Sequence, residues 1–431
     1  MATKQFLYNG TKRIRLCLAC KDIFTGKTPI YDFDNDKYII IGQKNNQKGK
    51  INLIDCKYSN EKFYKTNSPK MFLKKGDILL NSLGGGSVGR IGSFDLDRND
   101  ILTDGHPIVF RTNEKNNSRY VFYALYNEQE QLEKMAVGST NQCFLNISDV
   151  YHFEIPFVEL KKQQLIANFL DEKCGEIDSL ISDIQKQIET LQEYKKSIIT
   201  EAVTKGLDPN VEMKDSGVEW IGEIPIGWVL SKLKYELEEE MKYGASETGV
   251  EFSEDLPRYI RITDITLDNK LKDEGKLSLT KKQAKGYLLT RDTILFARSG
   301  ATVGKTFLYK TEYGEAAFAG YLISGVPNVN KMKVEWLYYF TLSNVYLEWT
   351  RRIFTQSTIQ NIGADKYRIM PIIVPSLLVQ EKIIKHLDYK CSEIDSLIEE
   401  KSKQLETLEQ YKKSLIYEYV TGKKEVPYEN N

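Results

Sequence analysis

At 431 residues, with 41% hydrophobic and 28% charged side chains, the sequence has the make-up of an ordinary soluble globular protein of two or three domains. No stretch approaches the roughly 18 uninterrupted apolar residues of a membrane span, and the opening MATKQFLYNGTKRIRL has no apolar signal core. A cytoplasmic chain with no membrane partner is expected. Sixty basic residues against 60 acidic ones give a net charge of zero, which at first argues against nucleic acid. The average conceals a pattern: residues 1–155 carry 22 basic and 17 acidic residues, 256–372 carry 18 and 10, while 206–255 carry 4 and 13. Two basic blocks alternating with acidic or near-neutral ones suit two polyanion-facing domains on a scaffold that faces protein.

In chain order, residues 1–155 offer short β-branched runs bounded by turn residues: YIIIG (38–42), KKGDILLNSLGGGSVGRIG (74–92), GHPIVF (105–110) and TNQCFLNISDVYHFEIP (140–156). A helix is expected around Tyr120 to Met135. Cys17 and Cys20 form a single C-x-x-C without a second pair, so all six cysteines read as reduced thiols and no metal site is expected.

Residues 156–205 lack Gly and Pro almost entirely and carry a heptad, which predicts one long helix. Its seam is Leu170, Cys174, Ile177, Ile181, Ile184, Ile188, Leu191, Lys195, Ile198 and Ala202. An acidic linker then opens residues 206–372, a second globular half with the same landmarks in the same order. These are YIRIT (259–263), LTRDTILFARSGATVGKTF (289–307), GYLISG (320–325) and STIQNIGADKYRIMP (357–371), with a helix expected around Glu335 to Arg351. Residues 373–431 close the chain with a second long helix and tail, its seam Leu387, Cys391, Ile394, Ile398, Lys401, Leu405, Leu408, Lys412, Leu415 and Tyr419.

The two helices are copies. Residues 163–204 align without gaps on 380–421 with 25 identities in 42. Each narrow apolar stripe must be buried, and the other copy is the simplest partner, as an intramolecular coiled coil. A pseudo-two-fold axis would make the helices antiparallel, with rods of roughly 60 Å holding the globular halves apart. That spacing suits sites between one and two turns apart on one DNA molecule. The fold expected is α+β: two similar domains separated by two long antiparallel helices. The charged seam residues Lys195, Lys401 and Lys412 either snorkel or mark where a partner inserts.

Helices kept alike beside diverged globular halves suit a protein whose halves read two different sequences. The halves differ in the polar residues beside their shared glycines: Asn81, Ser82, Ser87 and Arg90 in one, Arg298, Ser299, Thr302 and Lys305 in the other. A loop with Thr140, Asn141 and Gln142 is matched by one with Ser357, Thr358 and Gln360. Such side chains hydrogen-bond phosphates and base edges, and they are equally ordinary in hairpin turns.

These residues resemble the specificity subunit of type I restriction-modification systems across nearly the whole chain. The resemblance rests on the repeated EIDSLI and ETLxxYKKS, on DSGVEWIGEIPIGW (215–228), and on the paired DILLNSLGGGSVG and TILFARSGATVG segments. It implies two target-recognition domains, each reading one part of a split asymmetric site on double-stranded DNA. It also implies helices that set the spacer and dock two methyltransferase subunits, and through them the restriction subunits. S-adenosylmethionine and ATP would then belong to the partners, leaving a non-catalytic chain with no cofactor of its own. The first half lacks an opening as plain as W-x-x-x-x-P-x-x-W.

Rival readings are weaker. SGATVGKT (299–306) nearly spells a phosphate-binding loop, but Ser299 replaces its first Gly and TFLYK after Lys305 reads as a strand where a helix is required. No Pro-Pro dipeptide supports an amino-methyltransferase, and the three histidines, His106, His152 and His386, are scattered. A coiled-coil protein adaptor explains the helices but not the basic blocks, and salt-dependent DNA binding separates the two.

Overall fold

The computed structural model describes residues 11–34, 36–47, 49–138, 143–266, 269–355 and 361–427. The chain forms two compact units, residues 1–184 with 403–431, and residues 185–402. Each unit takes one globular half and a stretch of both long helices.

Unit 1 is built on a six-stranded sheet in the order Cys20–Thr25, Pro107–Thr112, Asp77–Asn81, Ile91–Phe94, Lys50–Ile51, Asn46–Gln47. Its central strands read as continuous apolar runs because both faces are covered. Ile78, Leu80, Ile108 and Phe110 pack on the helix Ser118–Asn127, whose first turn is capped by the Asn117 side chain. Leu79, Val109 and Phe94 meet Ile41 and Ile101 on the other face. A three-stranded sheet places Ile39–Ile41 between Lys57–Tyr58 and Leu102–Thr103, the latter pairing parallel. Lys12–Arg15 pairs antiparallel with Glu154–Phe157, tying the start of the domain to the strand that feeds the long helix.

Unit 2 repeats this plan with shorter sheets. Lys242–Tyr243, Leu322–Gly325, Thr293–Ala297 and Thr306–Tyr309 form its central sheet. Ile294, Phe296 and Ile323 face the helix Val334–Leu342, while Leu295, Ala297 and Leu322 face Ile260 and Phe318. Arg258–Ile260 pairs parallel with Ala316–Phe318, as Ile39–Ile41 does with Leu102–Thr103, and Val229–Lys232 pairs with Pro371–Val374. The linker adds a hairpin of Met213–Asp215 and Glu223–Pro225, and Ile221, Ile224 and Trp228 close over the core.

The long helices span Leu160–Lys205 and Leu377–Val420. Within unit 1 they run antiparallel: the Phe169 ring lies 4.5 Å from that of Tyr419, and Lys412 donates to Asp178 at 2.5 Å. Leu170, Cys174, Ile177 and Leu415 are buried there, and Ile181, Ile184, Leu405 and Leu408 half-buried. Within unit 2, Leu387, Cys391 and Ile394 are buried and Ile188, Leu191, Ile198 and Ile398 half-buried. Lys195 donates to Asp395 at 2.7 Å, the same pair with the helices exchanged. Two of the three seam lysines, Lys195 and Lys412, are thus engaged across the seam: each answers the aspartate of the opposite EIDSLI.

Two further contacts are duplicated. Buried Gln163 donates to Val158 O at 2.8 Å and accepts from the Asn117 amide at 2.8 Å. Buried Gln380 donates to Pro375 O at 2.9 Å and accepts from the Lys333 amide at 2.9 Å. Tyr123 donates to Asp171 and Tyr339 to Asp388, fixing each domain helix to its long helix.

Candidate nucleic-acid interface

Four segments meet at one end of each central sheet. In unit 1 the Ser82 hydroxyl donates to the His106 carbonyl, and Leu145 N donates to Ser82 O at 2.8 Å. Gly26 lies so close to the next segment that an added Cβ would stand 2.1 Å from Thr103 O. In unit 2 Arg298 N donates to Tyr321 O at 3.0 Å and Ile362 N to Arg298 O at 2.9 Å. A Cβ on Gly244 would stand 2.3 Å from Phe318 O. These two glycines were not singled out in the sequence, where TGK and YGA show no common signature. Strand register aligns them: Ile108 pairs with Thr25 as Ile323 pairs with Tyr243.

On this shared backbone the side chains differ. Register equates Thr25 with Tyr243, Ser82 with Arg298, and His106 with Tyr321. Tyr321 is 64% exposed and Tyr243 42% exposed, whereas the matching Thr25 is a short side chain and His106 is exposed.

The residues singled out in the sequence, Ser82 aside, divide into four groups. Asn81 is fully buried; its side-chain amide donates to Gln43 O at 3.2 Å and accepts from Asn46 at 3.0 Å, so it braces the loop from inside. Ser87 donates to Leu83 O, and Arg90 to Asn46 O and Gly86 O, so both half-buried side chains are engaged in turn geometry. In unit 2 the half-buried side chains of Arg298, Ser299, Thr302 and Lys305 have no hydrogen-bond or ion-pair partner among the described residues. Thr140, Asn141, Gln142, Ser357, Thr358 and Gln360 lie outside the described residues.

The paired helices present a second surface. Leu180 and Tyr411 are 51% and 56% exposed in unit 1, and Leu397 and Tyr194 are 47% and 57% exposed in unit 2. These are the same two residues of the repeat, offset by 217, and they stand off the seam. Their identity was visible in the alignment of the copies, but their exposure was not.

The geometry removes some alternatives. After the 299–302 turn the chain enters the strand Thr306–Tyr309, so no helix N-terminus stands where a phosphate loop needs one. All six cysteines are free thiols, and burial pushes Cys20 up to about 12, which keeps it protonated and a poor nucleophile. Among the described residues no cluster of three metal-ligating side chains occurs, and no helix is long and apolar enough to cross a membrane.

Comparison with known proteins agrees with this architecture. The chain is 26% identical over 84% of its length to the type I restriction enzyme MjaVIII specificity subunit of Methanocaldococcus jannaschii, covering 82% of that protein. It is 22% identical to the type I restriction enzyme StySPI specificity subunit of Salmonella potsdam, over 56% of this chain and 51% of that one. A solved chain from work on complex assembly and conformational transition of the type I R-M system shares the fold, with a TM-score of 0.65, 15% identity, and coverage of 96% of this chain and 99% of that one. Residues 21–190 and 237–407 each match the type I restriction modification DNA specificity domain, one match per globular half with its helix, and the chain belongs to that family.

Proposed function

We propose that this chain is the DNA-reading subunit of a type I restriction-modification complex and performs no catalytic step itself. The loop end of unit 1 reads one half of a split asymmetric site on double-stranded DNA, and the loop end of unit 2 reads the other. The observation that carries this reading is one scaffold used twice with different side chains, Ser82 against Arg298 and His106 against Tyr321. Halves retained for one reaction would keep the same reactive groups; halves retained to read different bases would keep the backbone and vary the tips. Basic surplus in residues 1–155 and 256–372 supplies phosphate attraction. Ser82, Ser87, Arg90, Thr140, Asn141 and Gln142 in one half, and Arg298, Ser299, Thr302, Lys305, Ser357, Thr358 and Gln360 in the other, are the candidate contacts.

The helix surface follows the opposite rule. Leu180 with Tyr411, and Tyr194 with Leu397, offer the same apolar pair in each unit. That duplication supports two identical partners, which we assign as methyltransferase subunits, with restriction subunits joining through them.

The test is methylome sequencing of a host carrying the cognate methyltransferase subunit, with and without this chain. A split methylated motif that appears only with the chain is the expected result. If no motif depends on the chain, DNA reading is wrong and a coiled-coil protein adaptor becomes the better reading.

A further inference from the structure

Arg298 differs from the other arginines that are partly enclosed. Arg13, Arg90, Arg111, Arg119, Arg258 and Arg261 are half-buried, and each donates to a carboxylate or a carbonyl. The half-buried Arg298 guanidinium donates to nothing among the described residues, and its Nε is enclosed without an acceptor. It is nevertheless held in place. Its guanidinium carbon sits 4.8 Å from the centre of the Tyr243 ring, and the Tyr243 hydroxyl is itself fixed by accepting from the Ala364 amide at 3.0 Å. The main chain of Arg298 is bonded to that of Tyr321, whose ring is exposed at the same end of the sheet. A buried donor without an acceptor costs free energy in the free protein, and an incoming acceptor recovers it.

We infer that Arg298, held over the Tyr243 ring and next to Tyr321 on the sheet end, reads a guanine in the half-site recognised by residues 185–402. This rests on the DNA-reading function proposed above. A guanidinium fork has two parallel N–H groups, and guanine is the base whose major-groove edge presents two acceptors, O6 and N7, side by side. Adenine, cytosine and thymine each place a donor or a single acceptor there. A phosphate could also take the fork, but a guanidinium held over a ring suits a fixed planar target better than a mobile backbone oxygen pair. The other half has no guanidinium fork at the corresponding position, where the Ser82 hydroxyl donates to the His106 carbonyl. The two half-sites therefore differ at the pair this position meets.

The experiment is methylome sequencing of hosts carrying the methyltransferase subunit with the wild-type chain, Arg298→Ala, Arg298→Lys or Tyr321→Ala. Half-sites are assigned by exchanging residues 1–155 with those of another specificity subunit. The wild-type half-site of unit 2 should contain a guanine, and both Arg298 variants should accept other bases at that one position. Discrimination there should fall by roughly ten- to a hundredfold, with the other half-site and the spacer unchanged. Tyr321→Ala, a change at an exposed ring, should relax the same position more weakly. The inference is overturned if that half-site has no G·C pair, or if the motif keeps its strictness in the Arg298 variants. It is also overturned if Arg298→Ala lowers methylation at all sites equally while Arg298→Lys restores it, which is phosphate behaviour. A wild-type chain on which no motif depends would instead refute the underlying function. Thermal unfolding of Arg298→Ala at the wild-type temperature separates lost reading from lost fold.

Discussion

The loop ends and the paired helices descend from the same duplication and have diverged in opposite ways. At the loop ends the backbone is kept and the side chains change: Gly26 and Gly244 hold the same crossing, while Ser82 occupies the register position of Arg298 and His106 that of Tyr321. Along the helices the side chains themselves are kept, down to Asp178 and Asp395, Lys412 and Lys195, Tyr194 and Tyr411. A surface that meets one kind of partner twice has reason to stay the same; a surface that meets two different ligands has reason to differ. The contrast also separates structural from functional residues, because what both loop ends retain is what the scaffold needs.

The sharpest way to break that comparison is at the shared glycines. Gly26→Ala and Gly244→Ala each drive a methyl group into backbone carbonyl oxygens that cannot swing away, at 2.1 and 2.3 Å. Each should cost about 3 kcal/mol, read as a lower denaturant midpoint. Gly175→Ala is the control, since its Cβ would meet open space on an exposed helix face and should stabilise by about 1 kcal/mol. A large loss at one loop glycine and none at the other would show that the two ends are not the same scaffold.

Next in size is the helix surface. Tyr194→Ala and Tyr411→Ala remove exposed rings that pack on nothing in their own unit's core. Stability should hold, while the affinity of the methyltransferase subunit should drop by about 2 kcal/mol per site, measured by calorimetry or analytical ultracentrifugation. Unchanged assembly with both tyrosines removed would move the docking surface elsewhere. Smaller again is the loss of the domain-to-helix latch: Tyr123→Phe and Tyr339→Phe should each cost about 1 kcal/mol. Burial raises both phenols, and the carboxylate each one faces raises them further, so both remain hydrogen-bond donors through neutral pH. The loss should therefore be the same at pH 6 and pH 8.

Much of this organisation was legible in the sequence, for identifiable reasons. A heptad is a periodic signal and a duplication is a self-comparison, so both long helices and the repeated domain plan could be read without coordinates. The short runs containing DILL and PIVF marked strands, and the structure adds that both their faces are covered. What could not be read was pairing across the chain. EIDSLI and YKKS stood out as repeated motifs, yet nothing local says that the Asp of one meets the Lys of the other; only antiparallel packing brings residue 178 to 412 and 195 to 395. For the same reason Asn81 read as a candidate DNA contact beside the shared glycines, when its neighbour in space is Asn46, which lies far from it in the chain. Tyr243 escaped notice because its role is to lie under Arg298, and that contact spans 55 residues.

The lysine–aspartate pairs give the finest measure of how alike the two helix stretches are. In unit 1 the Lys412 side chain is 15% exposed and that of Asp178 35%; in unit 2 Lys195 is 26% exposed and Asp395 57%. Solvent screens an ion pair in proportion to its access, so identical chemistry should have unequal worth. Lys412→Met should destabilise by about 1 kcal/mol and Lys195→Met by about 0.3 kcal/mol, with methionine keeping the apolar stem of the seam in both cases. Exchanging charges, Lys412→Asp with Asp178→Lys, should recover most of the loss in unit 1, because the pair needs opposite signs and a short reach rather than a particular polarity. Raising salt to about 1 M should erase the smaller loss, at Lys195, and leave most of the larger one, at Lys412, since it acts more strongly on the exposed pair. Equal losses at both positions, insensitive to salt, would mean that the lysines contribute through their hydrocarbon stems and that the repeated aspartate serves something other than helix pairing.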